Sequence, residues 1–347
     1  LGLGLVPAIA GAQPAAVKAP APRIPLARTL VRSDCDGGPI DVNELEKELT
    51  TTGLHGWLHG AAGDFDQFVF TWRDPKDFFT YMEFSLVVKD AQLMQQLHSM
   101  KRHDEVVIHG VFKDNPSPQK HIELHDLTVV KPYESGVSAP PYHRVAKLPD
   151  DLLGKSELDG VVHAVAAQGG ILVIEYKDAV VPVFVENNQY TQNLYRGDKI
   201  HLHYTLLPFP KHPTHLTLDT SAAKPLVVTD SLVAQHGKKM TLEGILGFFP
   251  KSPEINMDVY SLQVTDAQNL KRNYTLVNLD DDQIFLAVQG KAAKLWQAGK
   301  ATLEDGRNMY INRQIKLRVT GTVNEICPNQ ANPQISLSSV DDLVVLP

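Results

Sequence analysis

Three stretches of this chain begin alike. Leu54-His55-Gly56-Trp57-Leu58-His59, Leu158-Asp159-Gly160-Val161-Val162-His163 and Leu242-Glu243-Gly244-Ile245-Leu246-Gly247 each run leucine, polar, glycine, two apolar residues, then histidine or glycine. Each opens a segment of roughly 100 residues, the size of one small domain. Within each segment the pattern of apolar residues and turn residues reads strand, strand, strand, helix, strand, strand. A unit repeated at this length makes the chain a row of similar small domains.

The first segment shows the pattern most clearly. Gly53 to Ala61 is the first strand, and Phe68, Phe70 and Trp72 share one face of the second. Phe78 to Lys89 reads as a long third strand with Met82, Phe84, Leu86 and Val88 on one face. Asp90 caps a helix whose Leu93, Met94, Leu97 and Met100 fall at helical spacing. Glu105–Lys113 and His121–Val130 are strands four and five. In the second segment the helix shrinks to a turn or two around Tyr190 and Leu194, and His215–Asp219 is the last strand. The third has a longer helix after Asp282 and an added hairpin about Asp305-Gly306. The shared glycine has a physical reason, because a first strand that bends between two halves of a barrel needs relief at the bend.

This order of elements resembles the OB-fold, a five-stranded Greek-key barrel. The resemblance covers nearly all of residues 50–347, and the first segment is similar to small exported bacterial OB-fold proteins. It implies a mainly β chain of three tandem OB-fold-like barrels, each with a helix between strands three and four. The expected divisions are an N-terminal arm over 1–43, barrels over 44–134, 155–230 and 238–347, and a linker over 135–154. The fold does not determine the function, because this barrel hosts many unrelated activities.

Charge bears on the partners. The net charge is −7. Residues 44–134 hold nine basic against fifteen acidic residues, 155–230 six against eight, and 238–347 twelve against twelve. No barrel is basic, which weighs against a surface that tracks phosphates and against nucleic acid as a partner. The apolar run Leu1–Val6 and the small residues Ala10-Gly11-Ala12 before Gln13 read as the end of an export signal. Residues 13–30, with Pro14, Pro20, Pro22 and Pro25, form an extended arm. Ile24, Leu26, Leu30 and Val31 are its apolar anchors for another barrel or subunit. No stretch is apolar and long enough for a membrane span. In an exported chain the only two cysteines, Cys35 and Cys327, are candidates for one disulfide. A loop that long would contribute roughly 5 kcal/mol.

Chemistry-bearing residues are few. His201 and His203 share a strand face and His215 follows, so these three are the candidate metal ligands. Phe79, Tyr81 and Trp72 are candidates for stacking a ligand on the first barrel. Arg196-Gly197-Asp198 matches an adhesion tripeptide but reads instead as the ordinary entry to strand four, where glycine ends a helix and charged residues face water. No nucleophile elbow, phosphate loop, dinucleotide fingerprint or metalloprotease motif is present. The reading is therefore a non-enzymatic exported scaffold or binding protein, periplasmic or extracellular, without a cofactor. It would be a structural component of an envelope or extracellular assembly, with other proteins or its own copies as partners. The alternatives are single-stranded oligonucleotide or oligosaccharide binding through the first barrel, and metal binding or a metalloenzyme.

Overall fold

The structure, a computed structural model, describes residues 37–62, 66–114, 119–134, 148–166, 169–177, 179–209, 212–297, 300–304, 309–324, 327 and 331–347. Helix α1 (Val42–Thr50) comes first, its end capped by the Asp41 carboxylate, which accepts from the backbone N–H groups of Asn43 and Glu44. Barrel 1 follows with β1 (Leu54–Ala62), β2 (Gln67–Arg73), β3 (Tyr81–Val88), α2 (Ala91–Ser99), β4 (Glu105–Lys113) and β5 (His121–Lys131). The strands close in the order β1-β2-β3-β5-β4, with β3 and β5 parallel and the other pairs antiparallel.

The same ring recurs twice. Barrel 2 is built from β6 (Glu157–Ala166), β7 (Ile171–Tyr176), β8 (Ala179–Phe184), β9 (Lys199–Phe209) and β10 (His212–Leu218), and β8 and β10 form its parallel pair. A short 3-10 helix, Asn188–Tyr190, replaces α2, and an extra strand, β11 (Leu226–Asp230), adds to β9. Barrel 3 uses β12 (Lys239–Phe249), β13 (Val259–Thr265), β14 (Lys271–Val277), β16 (Met309–Asn324) and β17 (Gln334–Ser336). Helix α3 (Asp282–Leu295) lies between β14 and β16, while β15 (Thr302–Glu304) and β18 (Leu343–Val345) pair with β16. The chain is mainly β, and its three closed rings share the OB-fold connectivity. No helix among the described residues is long and apolar enough to cross a membrane.

The repeated glycines occupy equivalent places. A methyl group on Gly56 would lie 2.1 Å from the Thr71 carbonyl oxygen, one on Gly160 3.1 Å from that of Glu175, and one on Gly244 2.2 Å from that of Gln263. In each barrel that carbonyl belongs to the residue paired with the position after the glycine. Close approach of the strand-two backbone excludes a side chain at Gly56 and Gly244, while at Gly160 the nearer obstacle is the Ile174 side chain at 2.3 Å. The histidines ending the first two motifs also correspond. His59 and His163 fall where the pairing with strand two slips by one residue, between Leu58 and Gly60 and between Val162 and Ala164. A bulge of this kind re-aims its side chain.

Two sequence expectations are corrected here. The third strand of barrel 1 starts at Tyr81, so Phe79 lies before it in a turn. The Asp77 carboxylate builds that turn by accepting from the Phe79 N–H and the Thr80 hydroxyl. Trp72 is 9% exposed and packs in the barrel core with Phe68, Phe70 and Phe84, so it offers no surface for stacking. Its placement follows from the alternation of β2, which turns Phe68, Phe70 and Trp72 to one side.

Candidate functional site where the barrels meet

A turn of barrel 3 enters the side of barrel 1. Between β12 and β13 the chain reverses at Ser252–Ile255, where the Ser252 hydroxyl accepts from the N–H groups of Glu254 and Ile255. The tip carries Glu254. Arg102, in the loop before β4, donates from one guanidinium nitrogen to both Glu254 oxygens at 3.0 and 3.1 Å. The bulged His59 approaches the same carboxylate at 2.8 Å, and Nε2 of His103 lies 3.2 Å from it. Arg73, from the end of β2, donates to the Pro253 carbonyl, and the Tyr133 hydroxyl donates to that of Lys251.

Burial raises the pKa of Glu254, but Arg102, His103 and His59 outweigh it and hold the group well below the ordinary carboxylate value. Burial opposes protonation of His59, yet Glu83 and Glu254 raise its pKa above the ordinary 6.5. His59 is 31% exposed and Glu254 27%, although lost hydration is the largest influence on both. They line a recess. His103 lies deeper, and burial lowers its pKa below 6.5; its Nε2 accepts from the Arg102 Nε–H at 3.2 Å.

Barrel 2 reaches the same place. Arg196 has Glu175, Glu254, Tyr81 and Arg102 as its electrostatic neighbours, and burial lowers its pKa. It donates to the Asn332 side chain of barrel 3 at 2.9 Å. Glu175 sits 2.9 Å from the bulged His163. From barrel 3, Arg272 donates to the Gly197 carbonyl and to Asp230. Lys199 bonds Asp266 at 2.5 Å. Arg73, Arg102 and Arg196 therefore face Glu83, Glu175 and Glu254 where the three barrels converge.

The loops supplying Arg102 and Arg196 are copies of one device. The N–H groups of His103 and Gly197 donate to the carbonyls of Leu58 and Val162, and both residues have positive φ, 71° and 97°. The carboxylates of Asp104 and Asp198 each accept two backbone N–H groups, from Lys101 and Tyr133 and from Tyr195 and Leu232. Arg196-Gly197-Asp198 is thus the barrel 2 form of Arg102-His103-Asp104, with its aspartate buried. Aligning the two Arg-x-Asp triplets ahead of strand four is the signal that sequence reading overlooked.

On the outer face of β1–β3 the Arg73 guanidinium stacks over Trp57 at 4.9 Å and Phe78 at 4.1 Å. Phe78 is 43% exposed and Tyr81 36%. Burial, then Glu83, raises the Tyr81 pKa to about 12, so its hydroxyl stays protonated. Phe79 packs edge-on against Phe78. The Trp57 Nε1–H, the Thr71 hydroxyl and the Arg73 Nε–H are buried without a hydrogen-bond partner among the described residues. Of the expected site residues, only Tyr81 belongs to this face at the junction.

The remaining expectations fall elsewhere. His201 and His203 come together on β9, where Glu157 of β6 joins them. His215 is not in that group. It lies on β10, edge-on against Phe184, because it pairs with Leu207, further along β9. Cys327 is buried, whereas Cys35 lies outside the described residues, as do Ile24, Leu26, Leu30 and Val31.

No protein-family model matches this chain, and no curated protein matches it. Solved structures similar to it include one of a murine DNA binding protein bound with ds DNA, at 13% identity and a TM-score of 0.18. It covers 48% of this chain and 94% of that one. The tetrameric p202 HIN2 is 12% identical with a TM-score of 0.18, covering 50% and 91%. The drosophila Unr CSD456 is 10% identical with a TM-score of 0.14, covering 86% and 98%. Likenesses this distant transfer no function. The expectation that weighed against nucleic acid is withdrawn, since it rested on the summed charge of each barrel, which does not describe any one surface.

Proposed function

We propose that this chain is a non-enzymatic binding protein whose ligand is a short single-stranded oligonucleotide, seated on the outer face of β1–β3 in barrel 1. The observation that carries this reading is the exposed pair Phe78 and Tyr81 flanking Arg73. OB barrels present their ligand surface on strands two and three. Aromatic rings there stack bases of any sequence, and an arginine between them meets a backbone phosphate or a base edge. The absence of catalysis is part of the proposal. Its support is that Glu254 is held by Arg102 and His59, and Glu175 by His163, at the junction. The scaffold reading rests on residues 1–32, outside the described ones, and the geometry favours the oligonucleotide.

Fluorescence anisotropy with a labelled short oligothymidylate tests this on the full chain. Binding is expected at low salt and should weaken as salt rises. Phe78→Ala and Tyr81→Ala should each weaken it by about 5- to 150-fold, equivalent to ~1–3 kcal/mol per stacked base. Both sites are exposed, so their melting temperatures should match the parent. No binding at low salt, or binding unchanged in both variants, would reject the reading.

A further inference from the structure

A second group of titratable side chains lies on barrel 2. In the antiparallel pair β6–β9, Glu157 stands opposite His203 and Asp159 opposite His201. Residues two apart on a strand share a face, so the pairing brings two imidazoles and two carboxylates together on one outer surface. Glu157 Oε2 lies 3.8 Å from His201 Nε2 and 3.7 Å from His203 Nδ1. The three ligand atoms all fall within 4.8 Å of one another. The two rings meet edge to face, 5.2 Å between centroids.

These distances are close to what a metal ion demands. Ligand atoms about 2.0–2.2 Å from a tetrahedral zinc are separated by roughly 3.3–3.6 Å. Small side-chain rotations close that gap, and the strands beneath hold the backbone in register. The outer layer is also in place. His201 Nδ1 is 2.9 Å from Asp159 Oδ1. With Nδ1–H donating to that carboxylate, Nε2 keeps its lone pair toward Glu157 and His203. A carboxylate behind a histidine sets the tautomer and ring angle of metal-bound imidazoles in this way. Asp219 adds a further negative charge near His203, while its own carboxylate is held by Ser221.

We propose that Glu157, His201 and His203 bind one divalent transition-metal ion, with Asp159 orienting His201. Two imidazoles and one carboxylate select zinc or copper(II) over magnesium or calcium, which prefer all-oxygen shells. Three protein ligands on an exposed face leave the remaining position to water. This site does not depend on the junction or on the oligonucleotide reading, because it shares no residue with either.

Isothermal titration of the full chain with zinc chloride at neutral pH is the test, supported by the paramagnetic resonance spectrum of the copper(II) form. One ion per chain is expected, with copper hyperfine structure showing two nitrogen ligands. His203→Ala and Glu157→Gln should each weaken zinc binding at least tenfold. Asp159→Asn, which touches no metal, should weaken it by about 10–100-fold. The chain has fourteen histidines, so adventitious binding is a real competitor. Zinc binding that survives His201→Ala/His203→Ala at full strength would overturn the proposal, as would absence of binding in the parent. Circular dichroism of each variant should match the parent, since all four side chains are on the surface.

Discussion

Across β1 and β2 a tryptophan faces a glycine. Trp72 pairs with Gly56, whose missing side chain leaves room for the Phe70 ring, and Trp72 shares the core with Phe68 and Phe70. Truncating Trp72 to alanine should therefore cost about 3–5 kcal/mol, through lost burial and the cavity left behind. Urea denaturation followed by far-ultraviolet circular dichroism measures this, and an unchanged midpoint would contradict the core placement. This residue was legible in the sequence because alternation along one strand decides which side chains face inward. Glu254 was not legible. Nothing near Ser252-Pro253-Glu254-Ile255 indicates that a turn of the third barrel meets Arg102, 152 positions earlier. The metal ligands fall between these cases. The spacing of His201 and His203 placed them on one face, but Glu157 joins them only through strand pairing, and His215 is carried away by the same register.

At the scale of the element, strand one is the unit that repeats. Its glycine admits the carbonyl of strand two, and in the first two barrels a bulge then turns a histidine outward. Gly56→Ala should destabilise the chain by about 3 kcal/mol, near the upper end for overpacking, because the obstructing atom is backbone and cannot rotate away. A thermal melt of this variant beside the parent checks the expectation. An unaltered melting temperature would show that the strands can separate at no cost. Strand order and the glycine motif were readable because periodicity and turn residues are local. The start of β3 was misread because the Asp77 turn consumes Phe78 and Phe79 before extended backbone begins. β11 went unread because its pairing with β9 is made by a chain that returns after the ring has closed.

For the whole molecule, one carboxylate couples docking to pH. Glu254 has its pKa held well below the ordinary 4.5 when folded, so its contribution is full above about pH 4.5 and is lost as pH falls through the folded value. His59, raised above 6.5, contributes fully below that pH and loses its contribution as pH rises through the raised value. His103, lowered by burial, acts in the opposite sense and offsets part of the His59 effect. The contact between barrels 1 and 3 should thus weaken sharply on acidification below about pH 4.5. Glu254→Gln should flatten that acid limb, measured as melting temperature against pH for both proteins. Identical limbs would show that the junction does not hold the barrels together. Ring closure, finally, has a consequence for self-association. Every strand of the three rings has a neighbour on both sides, so its backbone cannot template a foreign strand. Among the described residues, the strands with a free side are β11, β15 and β18, of five, three and three residues. About half of the described residues are strand, yet among them almost no edge is long enough to seed a fibril, and the rings must open before the chain can aggregate through its strands.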